Sequence, residues 1–348
     1  MRYPWRAHVD WMEIVNLLPA KKRFLPARAA GPLAGHARLA TILGIVTGAL
    51  AISALVNRQL AARAEHRNRP IGRFIRVKGV RVHYVDRGEG DPLILLHGNG
   101  SMIEDFEASG LIDLAAKKHR VIVFDRPGYG HSERPRRTIW TPEAQADLLH
   151  GAMARLGVPH AIVLGHSWGA SVAIALALKH PKSVKGLVLA SGYYYPSIRG
   201  DVLAQSPSAI PVIGDLIRYS IAPFAARLLW PLAMRKIFGP AAVPKKFDRF
   251  PKEMAVRPSQ LRASAAETAL MIPDAIAMQG RYADLQMPVV IIAGDQDRLI
   301  DIERQSSRLH CQISQSTLHR VRGAGHMVHQ TATSDVMAAI NQVTRAAA

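Results

Sequence analysis

The chain has 348 residues, 49% of them apolar, with 45 Lys and Arg against 26 Asp and Glu and a formal charge of +19. That much apolar content over this length supplies a core for one large domain with an insertion or for two small ones, and excludes a disordered chain. The single cysteine, Cys311, excludes an intramolecular disulfide and a cysteine-based metal site.

The charge is unevenly placed. Residues 1–76 carry 13 Lys and Arg against 3 acids, so more than half of the excess lies beside the most apolar stretch of the chain. This layout fits an anionic membrane surface. No zinc-finger, helix-turn-helix or aromatic RNA-binding pattern is present, so no nucleic-acid partner is expected.

Residues 1–38 read as a basic leader broken by Pro4, Pro19, Pro26 and Pro32. Leu39–Val56 follows, eighteen residues without a charge between Arg38 and Arg58, at the short end of what spans a bilayer as a helix. Gly44 and Gly48 form a G-x-x-x-G pair that would let two such helices approach closely. The expectation is an uncleaved single-pass anchor in a bacterial inner membrane. A cleaved signal and a soluble arm packed on the body are the alternatives. Seven Lys and Arg precede the run and six follow within twenty residues, so charge bias does not set the orientation. Residues 57–70 read as a polar, helix-prone linker ending at Pro70, and removal of 1–70 is expected to leave a soluble, folded domain.

From Phe74 the pattern is βα. Phe74–Val77 and Val80–Val85 alternate around Lys78-Gly79 and read as a β-hairpin. Pro92–Leu96, Val121–Phe124, Ala161–Leu164, Leu187–Ala190 and Val289–Ala293 are short apolar runs suited to buried strands, with Thr317–Val321 as the last. Leu111–Lys118, Pro142–Leu156, Ala170–Lys179 and Thr333–Thr344 read as helices, Thr141 and Pro142 giving an N-cap and an N1 proline. Alternation of this kind predicts an α/β fold with a mostly parallel sheet covered on both faces. Residues 193–286 break it with ten prolines and helical pieces such as Leu216–Met234, and are expected to form an α-helical cap. The core then comprises 71–192 and 287–348.

Gly165-His166-Ser167-Trp168-Gly169 lies between the strand at Ala161 and the helix from Ala170. A sharp strand-to-helix turn there would hold Ser167 in strained backbone geometry at the carboxyl edge of the sheet, with the helix N-terminus favouring developing negative charge. A serine needs a base, and the base an orienter. His326, after Gly323-Ala324-Gly325, is the candidate base, and Asp297 in Gly294-Asp295-Gln296-Asp297 the candidate orienter, with Asp295 as rival acid and His329 as rival base. Two backbone donors are expected for an oxyanion, the N–H groups of Trp168 and of Asn99 in His97-Gly98-Asn99-Gly100. Asp125, Arg126 and His166 read as structural, Tyr193–Tyr195 as either pocket lining or aromatic packing. No histidine spacing resembles a metal site, and no metal is expected.

From about Phe74 to its end the chain resembles the α/β-hydrolase superfamily in five motifs: the His97–Gly100 loop, the Asp125–Ser132 turn, the Gly165–Gly169 elbow, the Gly294–Asp297 segment and Gly325-His326. The resemblance implies eight strands, a cap after the sixth and no cofactor, and leaves the substrate open. Members similar in these motifs include carboxylesterases, carbon–carbon bond hydrolases, lactonases and cofactor-free haloperoxidases. Epoxide hydrolases and haloalkane dehalogenases usually carry aspartate where this chain has Ser167. The expected function is hydrolysis of an ester or related acyl bond of an apolar small molecule, the apolar substrate suggested by Phe224, Leu228, Leu229, Trp230, Leu232 and Phe238 in the cap. Cofactor-free haloperoxidase or perhydrolase chemistry, carbon–carbon bond hydrolysis or acyl transfer on the same triad, and a non-catalytic membrane-tethered binding protein on a hydrolase scaffold, are the alternatives.

Overall fold

The computed structural model describes residues 32–197 and 213–348. Most of the expected basic leader and part of the expected cap, 198–212, lie outside them. Two compact units divide the chain at 48/49. The smaller contributes the first part of one helix, α1 (Pro32–Arg67), which is long and apolar enough to cross a membrane. Alanine and leucine dominate it, no proline interrupts it after its first residue, and His66 and Arg67 complement its carboxyl end before Pro70.

The larger unit is built on eight strands: β1 (Arg73–Val77), β2 (Val80–Arg87), β3 (Asp91–Leu96), β4 (His119–Phe124), β5 (Ala161–His166), β6 (Val184–Ala190), β7 (Val289–Gly294) and β8 (Ser316–Val321). Their spatial order is 1-2-4-3-5-6-7-8. β1 and β2 form the expected hairpin, Val77 opposite Val80, with Lys78 and Gly79 both at positive φ as a two-residue turn of this hand demands. β2 also runs antiparallel to β4, and every other pairing is parallel.

Alternate residues of the central strands feed two cores. Ile94, Val163, Leu187 and Ile291 face α4 (Pro142–Arg155) and α5 (Trp168–Lys179), while Leu93, Leu95, Leu164 and Ile292 face α2 (Ile103–Ser109), α3 (Leu111–Ala115) and the last helix (Thr333–Ala346). The sheet is thus covered on both sides, as the alternation of strands and helices predicts. α2 was not expected, and the helix expected over Leu111–Lys118 stops at Ala115. Gly110, at φ 79°, separates the two helices.

Between β6 and β7 come α6 (Ile213–Ser220), α7 (Ala222–Phe238), α8 (Lys252–Ala255) and α9 (Pro258–Met278), with no strand among the described residues. A third apolar cluster joins Phe238, Phe247, Phe250 and Met254 of this cap to Ala64, Met102 and Met327. Residues 57–67, within the expected helix-prone linker, are helical and fastened to the cap. Asn57 is buried and bonded to the Tyr219 and Ser220 carbonyls, and Glu65 pairs with Arg257 at 2.6 Å. Removing 1–70 would therefore strip a packed segment from the cap, whereas a cut at residue 48 would not.

Candidate active site

Ser167 follows β5 directly and precedes α5, with φ 54° and ψ −121°. Only a tightly determined turn holds a non-glycine residue in such a conformation, at a cost of about 1–3 kcal/mol. Gly165 and Gly169 permit it. A β-carbon on Gly165 would lie 2.3 Å from the Gly169 carbonyl oxygen, and one on Gly169 the same distance from that of Leu96. Ser167 N–H donates to Ala190 O at 2.9 Å, which ties the turn to the end of β6. The Ser167 hydroxyl makes no hydrogen bond among the described residues.

His326 lies after β8, its Nδ1 2.7 Å from Asp297 Oδ2, with both side chains almost fully buried. Asp297 Oδ1 accepts the N–H groups of Leu299 and Ile300 at 2.8 and 3.0 Å, so its carboxylate is oriented by its own loop. The rival acid, Asp295, instead accepts Gly323 N–H at 2.7 Å and pins the β8 loop. Two contacts brace His326: its N–H donates to Ile237 O of α7 at 3.2 Å, and its carbonyl lies 3.0 Å from His166 Nε2.

The loop after β3 closes on the serine. A β-carbon on Gly98 would stand 3.0 Å from Ser167 Cβ and 3.1 Å from His166 Nδ1. Among the described residues, neither the Asn99 nor the Trp168 backbone N–H donates a hydrogen bond. The Gly98→Ala variant should fold yet lose about 100-fold in kcat/KM, because sub-ångström shifts of a reacting group are costly. Parallel ester kinetics and thermal melts would check this.

Sequence reading missed the clamp behind that loop. Arg126, fully buried, donates to the carbonyls of His97 (2.8 Å) and Gly98 (3.0 Å) and forms a two-pronged pair with Glu267 of α9 at 2.6 and 3.0 Å. Glu267 also accepts from Gln145 Nε2 and Tyr129 OH. The Asn99 side chain bridges Tyr129 OH and Thr268 Oγ1. Asp125 accepts from Ile103 N–H and His131 N–H and lies 2.6 Å from His83 Nδ1, a structural role as read. Tyr194 and Tyr195 N–H groups both donate to Gln305 Oε1, so the tyrosines pack and anchor the chain after β6.

His329, the rival base, lies instead beside a carboxylate of its own, its Nε2 3.0 Å from Asp105 Oδ1. His166, His329 and Asp105 bring possible metal-ligating atoms within 4.8 Å of one another, a grouping that their wide spacing in sequence hid. The Asp105 carboxylate already accepts Ser101 Oγ and Gln330 Nε2, so protein partners serve it. Burial works to raise its pKa, yet His329 beside it holds it well below the usual carboxylate range.

His97 accepts Arg126 N–H on Nε2 at 3.0 Å and lies 2.8 Å from Gly98 O through Nδ1, bonds that need a neutral ring. Burial, then the Arg126 charge, lowers its pKa to about 4. The unfolded chain binds this proton near pH 6.5 and the folded chain does not. Stability should thus fall as pH drops from about 6.5 to 4, by roughly 3 kcal/mol from this ring alone. His166, also buried, acts in the same direction. Urea unfolding across this range would check it, and His97→Gln should flatten the slope.

A serine held in strain between strand and helix, and a carboxylate-bound histidine after the last strand of a mostly parallel sheet, are features of a hydrolase-type fold. The family model of the alpha/beta hydrolase fold matches residues 91–333, and the chain belongs to that family. It is 36% identical over 133 residues to 2-hydroxymuconate semialdehyde hydrolase of Pseudomonas sp. (strain CF600), covering 37% of this chain and 47% of that protein. The chain thus spans about half the length of that relative. To 2-hydroxy-6-oxononadienedioate/2-hydroxy-6-oxononatrienedioate hydrolase 2 of Pseudomonas putida it is 27% identical over 73% of this chain and 89% of that one. The fold matches a thermophilic esterase from Thermogutta terrifontis (TM-score 0.66, 22% identity, 79% of this chain and 99% of that one). It also matches a bacterial membrane phospholipase A (TM-score 0.63, 20% identity, 90% and 98%).

Proposed function

We propose that the chain is a serine hydrolase that cleaves an ester or related acyl bond through a covalent acyl-enzyme. The observation that carries the reading is the His326–Asp297 pair, 2.7 Å apart and buried, together with the strained Ser167 beside the Gly98 loop. Asp297 accepts the Nδ1 proton of His326, which leaves the lone pair on Nε2 for the serine proton. Ser167 Oγ attacks the acyl carbon, and its proton passes to His326. The Asn99 and Trp168 N–H groups receive the oxyanion, each worth about 10²–10³ in rate. The tetrahedral adduct expels the leaving group, which takes the proton from His326. Water, deprotonated by the same ring, then releases the acid and restores Ser167.

The names of the Pseudomonas relatives favour a second reading, hydrolysis of a carbon–carbon bond on the same three residues. Steady-state assays with p-nitrophenyl esters of graded chain length, beside a vinylogous 1,5-diketone acid, separate the two. Ester turnover with graded preference supports the first, and diketone turnover alone overturns it in favour of the second. In either case α1 serves as a membrane anchor through residues 39–56, supported by its length and apolarity and by the likeness to a membrane phospholipase.

The cap residues that motivated an apolar substrate do not form a buried pocket. Leu228, Leu229, Leu232 and Phe224 face outward, Trp230 is half-buried, and only Phe238 is inside. The apolar-substrate reading therefore rests on the membrane setting.

A further inference from the structure

We propose that the outer face of α6 and α7 docks on the surface of a lipid bilayer beside α1. Leu216, Ile221, Phe224, Leu228 and Leu232 are between 43% and 79% exposed. The last four recur at intervals of three and four, so they form one stripe that starts at Ile221, just before α7, and runs along that helix. A protein surrounded only by water rarely shows a contiguous apolar patch of this kind.

What covers the stripe is indicated by the helix fastened next to it. Ser53 Oγ donates to Ser220 O at 2.7 Å, and Asn57 Nδ2 donates to Tyr219 O and Ser220 O at 3.1 and 2.9 Å. These bonds fall at the end of the uncharged run 39–56. Their chain neighbours on one side are Ile52, Leu55 and Val56, all exposed, and on the other Ile221, also exposed. Two apolar surfaces are thus pinned together by the few polar side chains between them. Whatever medium solvates the end of the run on α1 also meets the start of the stripe on α7.

The rim carries the charge such a surface requires. Arg58 on α1 and Arg235 and Lys236 at the end of α7 are exposed, placed to reach anionic headgroups while the stripe lies in the interface plane. A second copy of the chain would also cover apolar side chains, but would face this cationic rim with its own. The docked helix bears on the site as well, since Ile237 at its end accepts His326 N–H. The inference extends the anchor reading and is independent of the serine chemistry.

The test uses the full chain in vesicles of phosphatidylcholine and phosphatidylglycerol in equal parts. An environment-sensitive fluorophore is placed on Leu228→Cys in a Cys311→Ser background. A second label on Lys182→Cys, at the amino edge of the sheet before β6, serves as the control. Flotation with the vesicles reports the anchor separately. The proposal requires that the label at 228 shift to the blue and be quenched by lipids carrying a nitroxide on the acyl chain, while the label at 182 does neither. A water-like label at 228 on protein that floats would overturn it while leaving the anchor intact. A blue-shifted label that lipid nitroxides do not quench, with cross-links between copies at 228, would overturn it in favour of a dimer face. Failure to float would overturn both readings.

Discussion

Ser167→Ala should abolish ester turnover, lowering kcat by at least about 10⁴-fold, because the serine, its base and the orienter act as one unit. The variant should keep the secondary structure and melting behaviour of the parent, since Ser167 Oγ has no hydrogen bond to lose among the described residues. Ser167→Gly should be equally inactive and yet more stable, by roughly 1 kcal/mol, because glycine adopts φ 54° without the clash that serine suffers. Circular dichroism melts beside single-substrate kinetics would show it. A glycine variant less stable than the parent would mean that the elbow is not strained, and that the serine is held there by something other than its function.

Glu267→Ala should be the most destabilising single change, about 3–5 kcal/mol, since it leaves Arg126 charged, buried and without its counter-ion. Burial acts to raise the Glu267 pKa, but Arg126 opposes it and holds the carboxyl below its ordinary value. A depressed carboxylate contributes stability above its unfolded pKa and loses it as pH falls through the folded value, so the pair strengthens the fold at neutral pH. Because Arg126 also holds the His97 and Gly98 carbonyls, kcat should fall together with stability. Replacing both partners by methionine should recover most of the stability, with less recovery of activity, because the loop would still lack its two anchoring bonds. Denaturant titrations of the two single variants and the double variant give the coupling directly.

The parts of this molecule legible in its sequence are those set by local pattern. Four-residue apolar runs such as Leu93–Leu96 read as buried strands because both faces of a parallel strand are covered. The hairpin followed from Lys78-Gly79, and α4 from Thr141 and Pro142, whose hydroxyl cap on Ala144 N–H is present at 3.2 Å. The elbow and the Asp297–His326 pair were readable because glycines at fixed offsets mark where backbone must approach backbone.

What the sequence hid was tertiary. α2 contains Glu104, Asp105 and Glu107, and Asp105 is buried only because Ser101, Gln330 and His329, two of them distant in sequence, converge on it. Glu267 sits in an alanine-rich turn of α9 with no local sign that Arg126, 141 residues earlier, is its partner. A lone acid in such a run was the one available hint, since a buried carboxylate needs a counter-charge. The stripe on α7 misled for a related reason: apolar residues at helical spacing announce a covered face, but not which side of the cap is covered, or by what.

The central claim is that Ser167 is a nucleophile activated by His326. It is tested most directly by the intact mass of the full chain after exposure to a fluorophosphonate, beside Ser167→Ala and His326→Ala. One adduct on the parent, mapped to the peptide containing Ser167, with none on Ser167→Ala and far slower labelling of His326→Ala, is the predicted result. Equal labelling of the parent and Ser167→Ala, or no adduct on a folded parent, would contradict it.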